Sequence, residues 1–138
     1  MLRIVSVLIL AALIYTTGCQ NDEIKINTQE GTAIYHKITA GQAKGIMDGD
    51  ETFILLDVRT DGEYRERHIG GAVLIPHTEI KDRAPDELPD KETLILVYCR
   101  SGVRSAEAAN LLVDMGYTTV YDFGGILDWI YETVSGAE

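Results

Sequence analysis

The chain reads TLILVYCRSGVRS over residues 93–105, and this segment carries the strongest structural signal in the sequence. The apolar run up to Tyr98 is typical of a strand that is buried on both faces of a sheet. Cys99 follows directly, Gly102 permits a tight turn, and small and apolar residues at helical spacing predict a helix over residues 105–115. We therefore expect Cys99 at the carboxyl end of a strand, where open α/β sheets bind their ligands.

The loop after this strand favours a reactive thiolate. Successive backbone N–H groups and the N-terminus of the following helix both stabilise an anion. Arg100 and Arg104 add guanidinium donors, and the hydroxyls of Ser101 and Ser105 can donate as well. We expect Cys99 to be chemically exposed, with a pKa below the ordinary thiol value of about 8.5. The alternative, a buried core cysteine between solvated arginines, fits so polar a segment poorly.

Strand-like and helix-like segments alternate five times along the chain, which predicts a parallel sheet covered by helices on both faces. The predicted strands cover residues 33–38, 53–56, 72–75, 93–98 and 117–121. The predicted helices cover residues 39–47, capped by Thr39, then 61–67, 105–115, ended by Gly116, and 126–134. The acidic stretch over residues 79–90 contains two prolines and predicts a surface connection.

Three further groups of residues extend the pattern around the cysteine loop. They are Asp57-Val58-Arg59 with Glu63-Tyr64, His68-Ile69-Gly70-Gly71-Ala72 with Ile75-Pro76, and Gly124-Gly125-Ile126 with Trp129. Together with residues 99–105 they resemble the motifs of single-domain rhodaneses, over about residues 34–131. The resemblance implies a rhodanese-like three-layer α/β fold with a five-stranded parallel sheet flanked by helices. It also implies a sulfurtransferase that needs no cofactor.

The resemblance assigns Cys99 the catalytic role. Its thiolate would attack the outer sulfur of thiosulfate or a persulfide, sulfite or a thiolate would depart, and the Cys99 persulfide would rest among the loop amides. The sulfur would then pass to a thiophilic acceptor such as cyanide or a thiol. The expected substrate-binding residues are those of the loop, namely Arg100, Ser101, Gly102, Val103, Arg104 and Ser105.

Residues outside the loop have supporting roles in this interpretation. Asp57 and Arg59 follow a buried strand and are expected to form a structural ion pair. His68 is expected to bond to backbone in a turn, and Trp129 and Tyr131 are expected to pack. His36 and His77 have no partners at ligand spacing, so the sequence predicts no metal site.

Two other functions compete with sulfur transfer. Phosphatases and arsenate reductases of the related seven-residue-loop kind place five residues between cysteine and arginine, whereas Arg104 follows Cys99 after four. The smaller ring suits one sulfur atom better than a tetrahedral oxyanion. A sulfur carrier or docking module of the same fold, without efficient turnover, stays open because the sequence identifies no donor, acceptor or protein partner.

The N-terminus predicts export. Residues 1–18 combine one positive charge, a short apolar run and small residues, as a secretory signal peptide does. The apolar run is shorter than the roughly 20 residues of a membrane-spanning helix. Thr17-Gly18-Cys19 resembles the lipobox of bacterial lipoproteins, although Thr16 replaces the usual leucine and leaves ordinary signal-peptidase cleavage open. We expect an acylated Cys19, a flexible tether over residues 19–32, and a domain over residues 33–138 on the periplasmic or outer face of a membrane.

The composition limits the classes of partner that the protein is expected to bind. The 138 residues suffice for one domain, and a net charge of −10 excludes a basic groove for nucleic acid. If Cys19 is lipidated or removed, Cys99 is the only thiol left. A dithiol motif, a disulfide framework and a cysteine zinc cluster are then excluded. The expected partners are small sulfur-containing anions or persulfides, an unidentified protein acceptor, and the membrane through the lipid anchor.

Overall fold

The computed structural model describes residues 34–137. Its strands are β1 (His36–Lys37), β2 (Phe53–Asp57), β3 (Val73–Leu74), β4 (Leu94–Cys99) and β5 (Val120–Gly125). Its helices are α1 (Ala40–Met47), α2 (Asp61–Glu66), α3 (Ile80–Glu87) and α4 (Val103–Asp114), with short 3-10 turns at His77–Glu79 and Ile126–Asp128. All strand pairs are parallel, in the order β1-β5-β4-β2-β3. The predicted α/β fold with a five-stranded parallel sheet is confirmed.

The central strand β4 divides the interior into two cores, because alternate side chains of a strand point to opposite faces. One face carries Leu94, Leu96 and Tyr98, which pack with residues of α1 and α2. The other face carries Ile95, Val97 and Cys99, which pack with α3 and α4. All six residues of β4 are buried, which explains why its sequence is continuously apolar up to the cysteine.

Two helices begin at threonines that form capping boxes. Thr39 caps α1, as predicted, and exchanges hydrogen bonds with Gln42. Thr60 caps α2 in the same way with Glu63. Each box satisfies two backbone donors that the start of a helix leaves free. Glu63 is thereby fixed in position before it makes any tertiary contact.

The prediction of a surface connection over residues 79–90 was wrong. The helix α3 forms there, with Pro85 inside it. Ile80, Ala84 and Leu88 recur every four residues and are almost fully buried against the sheet. Their burial offsets the cost of an internal proline, which is about 3 kcal/mol.

The predicted amphipathic helix over residues 126–134 was also wrong. Only the 3-10 turn Ile126–Asp128 forms. Beyond it the chain is irregular until Val134, whose N–H and carbonyl pair with those of His68 at 2.8 Å in an antiparallel bridge. Extended pairing of this kind is incompatible with a helix. Ile130 is accordingly 85% exposed rather than packed on a helical face.

Smaller differences concern where elements begin and end. The last strand was predicted over residues 117–121 but lies at Val120–Gly125, because Tyr117 instead packs under α3 and donates its hydroxyl to the carbonyls of Ala84 and Leu88. Helix α4 starts two residues before the predicted Ser105.

The predicted signal peptide 1–18, Cys19 and the tether 19–32 lie outside the described residues. Within residues 34–137, no helix is both long and apolar enough to cross a bilayer.

Candidate active site

The sulfur of Cys99 accepts a backbone hydrogen bond at the start of α4. This helix has no side-chain cap, and its N-cap residue is Gly102, with a φ of 103° that favours glycine. The Gly102 N–H donates to Sγ at 3.0 Å. The amides of Ser101 and Ser105 also act on the sulfur by lowering the pKa of Cys99. One amide of the predicted cradle, that of Gly102, is therefore bonded to the Cys99 sulfur.

The Ser105 hydroxyl completes the surroundings of the sulfur. Its Oγ is buried and lies 3.5 Å from the Cys99 Sγ, and the thiol donates a hydrogen bond to it. The same hydroxyl lies 3.2 Å from the carbonyl oxygens of Gly102 and Gly124 and can donate to either. If Cys99 ionises, the hydroxyl proton can turn from these carbonyls to the thiolate.

Burial and hydrogen bonding act on the thiol in opposite directions. Burial raises the pKa of Cys99, whereas hydrogen bonds from the Ser105 hydroxyl and from the amides of Ser105, Gly102 and Ser101 lower it. The hydrogen bonds outweigh burial, so the pKa lies below the ordinary thiol value. The loop thus favours the thiolate, the nucleophilic form.

The expectation that Cys99 is exposed was wrong, since only 1% of the residue is accessible. The exposed positions of the loop belong to Arg100, Ser101 and Val103. Cys99 is the last residue of β4, and its side chain points to the face covered by α4. The thiol is therefore buried as a core cysteine would be, yet it is surrounded by polar donors.

The end of β5 closes the site from the other side. The pairing of β4 with β5 runs from Val97 opposite Asp122 to Cys99 opposite Gly125, so β5 carries one extra residue in a bulge. The bulge contains Gly124, whose φ is 85° and whose carbonyl faces Ser105. It is stabilised by the Asp122 carboxylate, which accepts from the Gly124 N–H at 2.9 Å.

Asp122 is a residue that the sequence analysis missed. It is fully buried, and its second oxygen has no hydrogen-bond partner, although the Lys37 ammonium lies 3.6 Å away. Asp122 follows the apolar start of β5 directly, and a buried acidic residue in a strand is rarely incidental. The sequence signal for its role was an acidic residue in a strand, two positions before Gly124.

The two loop arginines differ in their surroundings. Both terminal nitrogens of Arg104 donate to the Glu63 carboxylate at 2.8 Å. The hydrogen bonds that Arg104 donates to Glu63 are also the main reason why the pKa of Arg104 is raised, and attraction to the Cys99 thiolate adds to it. Arg100 is exposed and has no side-chain partner among residues 34–137. Only Arg100 is free to meet a substrate as expected.

The predicted pair of Asp57 and Arg59 lies beside the loop as a buried ion pair. The Arg59 Nη2 lies 2.6 Å from Asp57 Oδ2 and 2.7 Å from the Arg67 carbonyl oxygen, to which it also donates. Its guanidinium stands over the ring of Tyr98, 5.5 Å from the centroid. Burial and the nearby Asp57 charge raise the pKa of Tyr98. These contacts place the pair in a supporting position, without contact to Cys99.

The remaining candidates also have structural contacts. The buried His68 bonds through Nδ1 to the Tyr64 carbonyl oxygen at 2.8 Å, and Trp129 packs against Phe123 and Tyr131. Within residues 34–137, no three His, Cys, Asp or Glu side chains are grouped so as to hold a metal ion.

Comparison with known proteins gives a consistent match. Residues 39–132 match the family described as Rhodanese-like domain. The chain is 40% identical over 81 residues to the thiosulfate sulfurtransferase PspE of Escherichia coli, an alignment that covers 59% of this chain and 78% of that protein.

Solved structures resemble the chain as well. A rhodanese with anions from E. coli is 38% identical, with a TM-score of 0.57 over 60% of this chain and 98% of that one. A rhodanese-like domain protein from Staphylococcus aureus is 30% identical, with a TM-score of 0.63 over 74% of this chain and 99% of that one.

Proposed function

The chain belongs to the rhodanese-like domain family, whose relatives include sulfurtransferases, and on that premise we propose that it transfers sulfane sulfur through a Cys99 persulfide. The donor is thiosulfate or a persulfide, and the acceptor is cyanide or a thiol. The observation that carries the proposal is the Gly102 N–H at 3.0 Å from the Cys99 sulfur, at the uncapped start of α4.

The loop suits both halves of such a reaction. The Cys99 thiolate attacks the outer sulfur of the donor, the S–S bond breaks, and its electron pair leaves with sulfite or a thiolate. The new persulfide is again an anion, and the loop amides that favour the thiolate can stabilise it. An acceptor then attacks the outer sulfur and regenerates the Cys99 thiolate.

Mass spectrometry of the intact domain tests the proposal. Incubation with thiosulfate or a small persulfide should add the mass of one sulfur atom, and cyanide or excess thiol should remove it. Cys99→Ser should abolish the addition, because a serine hydroxyl does not ionise at neutral pH. If no donor adds sulfur and an aryl phosphate is hydrolysed through Cys99, the protein is a phosphatase and the proposal is wrong.

A carrier that turns over slowly is the remaining alternative. Two features support it, the 1% accessibility of Cys99 and the pairing of Arg104 with Glu63, which leaves one loop arginine free. Repeated transfer from thiosulfate to cyanide distinguishes the two functions. A single sulfur per chain without further turnover would identify a carrier.

We also propose that the mature protein starts at an acylated Cys19 and is held on the periplasmic or outer face of a bacterial membrane. The support is the sequence of residues 1–19, with its charged start, apolar run and Gly18-Cys19. Mass spectrometry of the native N-terminus should find a diacyl or triacyl modification on Cys19. An unmodified start at Gln20, or an intact Met1, would exclude the lipoprotein.

A further inference from the structure

The capping boxes of α1 and α2 differ in charge. In α1 the residue that bonds back to the capping threonine is Gln42, which is exposed and accepts from the Thr39 N–H at 2.8 Å. In α2 the same position holds Glu63, which accepts from the Thr60 N–H at 3.0 Å. Glutamine and glutamate both serve at this position of a capping box. The cap of α2 therefore does not require the negative charge that Glu63 carries.

The charge of Glu63 is directed at the Cys99 loop. Its carboxylate accepts from both terminal nitrogens of Arg104 at 2.8 Å, and the two side chains are only 27% and 25% accessible. Solvent screens such a pair less than a fully exposed one. Arg104 is in turn attracted to the Cys99 thiolate. A change in the net charge of the pair should therefore act on the sulfur.

Glu63 also lines a cavity of about 400 Å³ that adjoins the loop, since Arg100 lines it as well. The other charged lining residues are either exposed or neutralised, namely Glu66, Arg67 and Arg100 at the surface, and Arg59 by Asp57. Solvent screens the exposed charges. Glu63 is therefore the partly buried carboxylate that stands between this cavity and the arginine of the loop.

We propose that Glu63 is a specificity-determining residue, which selects the reactants of Cys99 by their charge. The inference rests on the proposed function and concerns the reactants that take part in it. With Glu63 in place, Arg104 is neutralised, so the loop offers amide and hydroxyl donors without an uncompensated, partly buried cation. A dianion is disfavoured most by this arrangement, because its binding depends most on an unpaired positive charge. Neutral and singly charged reactants are disfavoured less.

Alkylation with a charged and a neutral reagent tests this assignment. Iodoacetate and iodoacetamide both react with the Cys99 thiolate and release iodide, so the ratio of their rate constants does not depend on the pKa of the thiol. Glu63→Gln leaves the Arg104 charge uncompensated, and the ratio of iodoacetate to iodoacetamide should rise roughly tenfold, as for one unit charge close to the reacting anion. Arg104→Gln leaves the Glu63 charge uncompensated, and the ratio should fall below that of the wild type. The double variant should return it close to the wild-type value.

Sulfur loading from thiosulfate extends the test to the proposed reaction. Glu63→Gln should lower the KM for thiosulfate by at least as large a factor, with a smaller change in kcat, because the uncompensated cation attracts the dianion before it reacts. Asp61→Asn is the matched control. It also removes a carboxylate that pairs with an arginine, Arg65 of α2, but both side chains are more than half exposed. It should change neither the alkylation ratio nor the KM.

An alkylation ratio that is unchanged in Glu63→Gln, or that shifts in the same direction in Glu63→Gln and Arg104→Gln, would overturn the assignment and leave sulfur transfer untouched. Damage to the fold cannot produce opposite shifts that cancel in the double variant. If the ratios shift as expected but neither thiosulfate nor a small persulfide adds sulfur to Cys99, selection by charge stands and the proposed function is wrong.

Discussion

The Glu63 carboxylate binds the Arg104 guanidinium through two hydrogen bonds of 2.8 Å, and it thereby joins the start of α2 to the Cys99 loop. The same carboxylate accepts from the N–H of Thr60 at 3.0 Å in the capping box. Hydrogen bonds from Arg104, and further ones from Thr60, lower the pKa of Glu63 to about 2 from an ordinary 4.5. One side chain thus serves both a helix cap and the site.

Glu63→Gln should lower the free energy of unfolding at neutral pH by about 1 kcal/mol, because it removes a partly exposed ion pair. A carboxylate whose pKa is lowered in the folded state stabilises the protein above its unfolded pKa of 4.5. That stabilisation is lost as the pH falls from 4.5 towards about 2. Urea denaturation of both proteins across this range should show their difference shrinking. Glu107→Gln, an exposed change on α4, serves as the control and should have no effect at neutral pH.

Gly125→Ala should disrupt the Cys99 loop. A Cβ atom at position 125 would lie 2.1 Å from the Arg100 carbonyl oxygen and 2.7 Å from the Ser101 Cα, so the loop backbone would have to move. We expect a loss of stability of roughly 1–3 kcal/mol, as for overpacked sites, and slower alkylation of Cys99. Gly45→Ala is the matched control, because a Cβ there meets nothing within 4 Å and lies inside α1. It should stabilise the protein slightly, and a Gly125→Ala protein that behaves like it would contradict the close approach.

Ser105→Ala should raise the pKa of Cys99. The Ser105 hydroxyl, 3.5 Å from the sulfur, is the largest of the influences that lower this pKa. One lost hydrogen bond corresponds to about one pH unit in the midpoint of the alkylation rate. Ser101→Ala removes an exposed hydroxyl without a bonded partner, so its midpoint should match that of the wild type. Equal midpoints for both variants would show that the backbone amides alone hold the thiolate.

Asp57→Asn should destabilise the protein by roughly 3–5 kcal/mol, because it leaves the buried Arg59 guanidinium without a counter-charge. The exposed pair of Asp61 and Arg65 provides the comparison, with both side chains more than half accessible. Asp61→Asn should change stability far less, since solvent screens that pair. Urea denaturation measures both effects, and similar losses would mean that burial of the Asp57 pair is unimportant.

Much of the fold followed from patterns among neighbouring residues. The apolar run of β4 and the capping threonine of α1 depend only on neighbouring residues, and both were predicted correctly. Helix α3 was missed, because Pro85 argues against a helix more strongly than the four-residue spacing of Ile80, Ala84 and Leu88 argues for one. The helix predicted at the end of the chain has helical periodicity in its sequence. It does not form, because the backbone of Val134 pairs with that of His68.

The sequence alone indicated the chemistry of the site, because the cysteine, glycine, serines and arginines of the loop lie within seven consecutive residues. The tertiary structure determined the burial and the hydrogen-bond partners of these residues. Arg104 is paired with a residue 41 positions away, Cys99 is buried rather than exposed, and Asp122 stabilises the bulge that brings Gly125 against Arg100. Propensity and periodicity depend on residues a few positions apart. Contacts between α2, β4 and β5 depend on strand register and helix packing, which arise only when the whole sheet assembles.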